Sequence, residues 1–216
     1  MQIKTLTKSL IILVFTSNIA FAQIPKELYS GIKQIQKDWA ISKYKSKDKS
    51  EKIDGYRECA SKAEKLVKSY PNNAEGLIWQ GICLSSEAEL TKLSALGKVK
   101  KAKQLFEKAA KIDDKALDGS AYTNLAVLHH RVPGWPIGFG DKEEAEKYFR
   151  QVLVISPNNI DANYFYALFL EGEKDNMELA LKHLEIASKA PSRNRPLADS
   201  KRKTEIAKKI AEFKNK

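Results

Sequence analysis

The chain is poor in the residues that build metal and catalytic centres. It holds three histidines and two cysteines in 216 residues. Cys59 and Cys83 have no histidine cluster beside them, and a structural zinc site needs four closely spaced Cys or His ligands. His129 and His130 are adjacent. On a helix of 3.6 residues per turn they point about 100° apart, which does not suit one metal. No Ser stands in a strained Gly turn, and no Cys/His pair reads as a nucleophile with its base. Gly138-Phe139-Gly140-Asp141 lacks the Lys and the spacing of a phosphate loop. These gaps predict no catalytic residue, no metal site and no cofactor. An envelope hydrolase would need a constellation that the sequence does not supply.

Acidic residues do not balance the basic ones. There are 27 Asp and Glu against 38 Lys and Arg, a formal net charge of +11. Lys is spread along the whole chain, as on solvated helix faces. The excess favours acidic partners or anionic surfaces. Long apolar runs are missing too. Leu10 to Phe15 is far short of the roughly 20 residues that span a bilayer. That run follows Lys4 and Lys8 and precedes Ala20 and Ala22, a small-x-small cleavage pattern, so residues 1–22 read as a secretory signal peptide. Gln23, not Cys, follows the cleavage site, and neither a lipid nor a transmembrane anchor is expected on the mature chain. The expected product is one soluble exported domain, residues 23–216, in a bacterial periplasm. Nucleic acid is a poor partner there. Export also permits a disulfide.

What the chain has is repetition. Pro-Asn-Asn occurs at 71–73 and again at 157–159, with Asp114 midway. A helix pattern precedes each of these turns. Small and apolar residues recur at 102, 105, 106 and 109, at 145, 148, 149 and 152, and at 180, 184 and 187. That spacing marks one apolar face of a helix. The leading small residue lies 12 positions before Asp114, 12 before Pro157 and 11 before Pro191, and Cys59 lies 12 before Pro71. Gly81, Ala126 and Ala167 hold a matching place after each turn. Small residues there let two helices approach closely.

Helix pairs, small residues at their crossings and a turn closing each unit resemble the tetratricopeptide repeat, TPR, whose unit is about 34 residues. The spacing here is 43, 43 and 34. The resemblance implies an all-α fold, a right-handed TPR-like solenoid of about four helix pairs at roughly 26–70, 74–112, 117–155 and 160–190. A helix at about 196–214, with Leu197, Ile206, Ile210 and Phe213, would cap its open end. The stretch from Pro133 to Leu170 and the late "APSRNRPLADSKRKTEI" look like exported bacterial TPR-type proteins. More distantly they are similar to the T-component family of TRAP transporters (TatT). The first resemblance implies a protein-binding or scaffold module. The second implies an accessory protein that forms a small oligomer and docks a periplasmic substrate-binding protein.

Candidate binding residues follow. In TPR folds the first helix of each pair lines the concave face, which by resemblance makes Trp79, Asn124, His129 and Asn163 groove residues. Each also suits plain packing. The loop "RVPGWPIGFGD" joins the two helices of the third pair. Its prolines and glycines stiffen it, Asp141 reads as a helix cap with Glu144 three residues on, and Trp135 and Phe139 are its large apolar groups. Trp135 is expected to pack on the helices, with a binding lip as the second reading. Arg193, Arg195 and Arg202 either hold an acidic ligand or a partner's chain end, or fix the last helix through Asp199. Cys59 and Cys83 lie 12 residues either side of Pro71. Antiparallel helices would bring them to one height, as a disulfide or as two buried thiols.

Overall fold

The computed structural model describes residues 25–91 and 95–215; residues 1–22, read from the sequence as a signal peptide, lie outside them. The described residues form nine α-helices and no strand. They are α1 (Lys26–Lys45), α2 (Lys49–Ser69), α3 (Ala74–Leu90), α4 (Ala95–Ile112), α5 (Ala116–Arg131), α6 (Lys142–Ile155), α7 (Ile160–Lys174), α8 (Met177–Lys189) and α9 (Pro196–Lys214). The all-helical expectation holds. No helix among the described residues is long and apolar enough to cross a membrane.

The repeated turns work as helix starts. In each Pro-Asn-Asn the second Asn is the N-cap. Asn73 accepts from the Gly76 N–H and Asn159 from the Ala162 N–H. Asp48, Asp141 and Asn176 cap α2, α6 and α8 in the same way. Each such cap satisfies an orphan donor and is worth about 1 kcal/mol. The turn after α4 departs from this pattern. Lys115 makes no side-chain cap, and Leu117, Asp118 and Gly119 take left-handed φ values of 49°, 59° and 74° before α5 becomes regular. Asn159 Nδ2 donates to the Asp118 carbonyl across 2.9 Å, tying that distorted start to the next turn.

Consecutive helices pack on one another, and the first helices of the pairs also touch in succession: α1 on α3, α3 on α5, α5 on α7. The last helix packs on α8 and also reaches α1. The small residues sit at these crossings. Cys59, Ala102, Ala126, Ala145, Ala167 and Ala180 are wholly buried. At Gly81 a Cβ would stand 2.5 Å from the Phe106 ring, so only glycine permits that approach of α3 to α4. Cys59 and Cys83 are disulfide-bonded, with Cα atoms 5.8 Å apart, joining α2 to α3.

The Lys-rich segment between the first two helices is shorter than its composition suggests. Only Ser46 to Asp48 stand outside a helix there.

Candidate functional site

The first helices turn one stripe each toward a common cavity of about 980 Å³. On α1 the stripe is Ile32, Gln36, Trp39 and Lys43; on α3 it is Glu75, Trp79, Ile82 and Glu89. On α5 it is Ser120, Asn124, Val127 and Arg131, and on α7 it is Asp161, Tyr164 and Phe165. The three- and four-residue steps place each set on one helix face. The segment from Pro191 to Arg195 and the α9 residues Ala198, Arg202 and Glu205 complete the wall. Val132, Pro133 and Ile137 of the long loop stand at its rim.

The charged end of this cavity centres on Asp161. It accepts from Arg193 Nη1 at 2.5 Å and from Arg202 Nε at 2.9 Å. Arg193 also forks onto Asp199, with Nε at 3.0 Å and Nη2 at 2.9 Å from Oδ1. The other Asp199 oxygen accepts from Ser192 Oγ and from the Arg193 backbone N–H. Arg202 lies over the rings of Tyr164 and Phe165, 4.4 and 4.8 Å from their centroids. Burial alone would raise the Asp161 carboxyl. The guanidinium groups of Arg193, Arg202 and Arg195 outweigh it and hold Asp161 well below the usual carboxylate range. Arg193 and Arg202 are thus committed to fixing α9 and its entry segment onto α7.

Arg195 is different. Its guanidinium is 3.8 Å from Asp161 and 4.0 Å from Asp199, beyond hydrogen-bond reach. It lies over the Trp79 ring, 5.8 Å from the centroid. Trp79 meets Trp39 edge-on at 5.9 Å. Lys43 in turn lies 5.1 Å from the Trp39 ring and 5.3 Å from Tyr44. Among the described residues no carboxylate is within ion-pair distance of Lys43. Burial, and then the charge of Arg202, lower its ammonium to about 8.

Several sequence expectations change here. Trp79 and Asn124 line the cavity, although Trp79 is only 1 % exposed. His129 does not line it. It is turned away and buried against Phe139 and Tyr148, with ring centroids at 5.4 and 5.7 Å. Asn163 does not line it either. It is wholly buried, donates to the carbonyls of Pro157 and Asn159, and meets His183 Nδ1 at 2.7 Å. At about 100° per residue both sit on nearly the opposite side of their helices from the cavity stripes, so a place on the first helix of a pair did not by itself put them on the inner face.

Trp135 is the clearest correction. It is 90 % exposed and packs on nothing. The loop is held instead by its backbone. Gly138 N donates to the Gly134 carbonyl, Gly140 N to Pro133 and Asp141 N to His129. A Cβ on Gly140 would lie 1.8 Å from the Val132 carbonyl oxygen, so glycine is required there. Phe139 is the anchoring aromatic. Neither it nor Trp135 lines the cavity. Asp141 caps α6 through the Glu143 and Glu144 N–H groups.

Sequence reasoning singled out Arg193 and Arg195 but missed Trp39, Lys43, Tyr44 and Thr123. The one signal was the i, i+4 spacing of Trp39 and Lys43 on an amphipathic helix. No family model and no curated protein matches the chain. Among the described residues no three His, Cys, Asp or Glu side chains gather as a metal site.

Proposed function

We propose that the protein is an exported binding module built as a right-handed TPR-like solenoid, and that its concave inner face receives a partner protein or peptide. One observation carries this reading: α1, α3, α5 and α7 each present a stripe with polar groups to a single cavity, and those of α1, α3 and α7 also carry aromatics. A core packed for stability alone would fill that space, since interiors are close-packed. The Trp135 loop stands on the edge, with Trp135 and Ile137 exposed by 90 % and 68 %. Exposed aromatics at a rim suit an interface. The basic balance of the chain favours an acidic partner. The Cys59–Cys83 disulfide fits an oxidising compartment such as the periplasm.

The accessory role in a TRAP-type transporter, docking a substrate-binding protein and forming a small oligomer, draws on one feature. The cavity is of small-ligand size, at the upper end of the usual range of about 300–1,000 Å³.

The test is photo-cross-linking in the native envelope. A photoreactive residue at Glu89, on the cavity wall, should trap one defined partner. The same residue at the exposed Val154 of α6 should not. Equal trapping at both positions, or none at Glu89, overturns the reading.

A further inference from the structure

The geometry points to a binding site, inside this cavity, for a small organic anion: a carboxylate head held by Arg195 and a ring-sized apolar body laid along the aromatic wall. The inference rests on the inner face being the working surface, and it adds the ligand that the floor of the cavity takes.

Three observations converge. The first is the state of Arg195. It is half-buried and always charged, yet both neighbouring carboxylates are already bonded elsewhere: Asp199 by Arg193, and Asp161 by Arg193 and Arg202. Its contact with the Trp79 ring, 5.8 Å from the centroid, uses none of its N–H donors. A guanidinium so placed offers a fork for a bidentate carboxylate.

The second is unpaired polarity on the same wall. Trp79 Nε1 and Thr123 Oγ1 are buried and have no hydrogen-bond partner, and both residues line the cavity. Trp39 contrasts with them, because its Nε1 donates to Ser86 Oγ at 2.9 Å. Buried polar groups without partners are rare in native proteins. Here both belong to residues that bound the cavity beside Arg195 or across from it. Lys43 is a second cation on this wall with aromatic neighbours in place of a carboxylate. Its lowered ammonium is a cost of folding that a bound anion would relieve.

The third is the wall itself. Trp39, Tyr164, Phe165, Ile82 and Val127 supply apolar surface around the cations. A strongly hydrated dianion without an apolar body gains nothing from that wall, whereas an aromatic or alicyclic acid does.

The test is calorimetric titration of the protein with 1-naphthylacetate, its neutral amide, and succinate. The acid should bind at least about tenfold tighter than the amide, as expected for a charge-assisted bidentate contact. It should also bind tighter than succinate. Arg195→Gln should bring the acid down to the level of the amide. Lys68→Gln, at an exposed ion pair with Glu64 away from the cavity, should change nothing. Circular dichroism confirms the fold of each variant. Should Arg195→Gln fail to fold, the acid and amide comparison on the unaltered protein still decides. Equal binding of acid and amide, no binding of the acid, a preference for succinate, or a preference that survives Arg195→Gln overturns the inference. Those results leave the cross-linking at Glu89 untouched, so the two readings fail separately.

Discussion

At the residue scale, neighbouring arginines have different jobs. Arg193 bonds two carboxylates from α7 and α9, and its side chain is 17 % exposed. Replacing it with Gln leaves the buried Asp199 and the half-buried Asp161 with less compensation. The Arg193→Gln variant should lose about 3 kcal/mol of stability. Arg195→Gln removes only long ion contacts and should lose under about 1 kcal/mol. Urea unfolding of the two variants side by side measures the contrast. Equal losses would mean that Arg195 is part of the same structural clamp.

His129 makes a prediction in pH. Burial, and then the charge of Lys103, hold its imidazole below the usual 6.5. Its folded value is depressed, so its stability is full above 6.5 and is lost as pH falls through 6.5 toward the lowered folded value. Burial lowers His130 and His183 in the same direction. The melting temperature should therefore fall between about pH 7 and pH 5, where histidines take up protons. In His129→Phe the fall should be smaller. A melting temperature that rises on acidification in this window would contradict the burial of these rings.

At the element scale, the loop between α5 and α6 is held by backbone hydrogen bonds, glycines and Phe139. Trp135 is 90 % exposed, so Trp135→Ala should change stability by less than about 0.5 kcal/mol. Phe139 packs on His129, and Phe139→Ala should cost about 2 kcal/mol or more. Thermal melts of the two variants check this. From composition both aromatics were equal candidates for packing. What separates them is the backbone path of the loop, set by carbonyls that approach Gly138 and Gly140 more closely than any Cβ allows.

The α2–α3 hairpin is cross-linked as well as packed. Cys59 and Cys83 are separated by 24 positions. A loop of that length contributes about 3 kcal/mol in the chain-entropy picture. Cys59→Ala with Cys83→Ala should lower the denaturant midpoint accordingly. The single variants should do the same, since either one opens the loop. An unchanged midpoint would mean that the hairpin gains nothing from the bond.

At the scale of the whole molecule, the helices were legible because their signals are local. Ala145, Phe149 and Val152 lie on one stripe whatever their neighbours do, and Asn73 and Asn159 cap the helices they precede. Rotation about the helix axis was only partly legible. Asn124 faces the cavity, while His129 and Asn163, equally plausible by position, face other helices. The cavity's cations were legible least of all. Lys43 and Arg195 stand at opposite ends of the sequence, and they share a wall only because α9 folds back onto α1. No periodicity in the sequence encodes that long-range contact.

The inner face as the binding surface can be read from three nuclei. The chain has three tryptophans: Trp39 and Trp79 on the cavity wall, and Trp135 exposed on the loop. Each gives one indole N–H signal in a nitrogen-15 correlation spectrum, assigned by single Trp→Phe substitutions. Titration of the protein with 1-naphthylacetate should move the Trp79 and Trp39 signals and leave Trp135 in place. Movement of Trp135 with Trp39 and Trp79 unchanged would put the binding surface on the loop and contradict a working cavity.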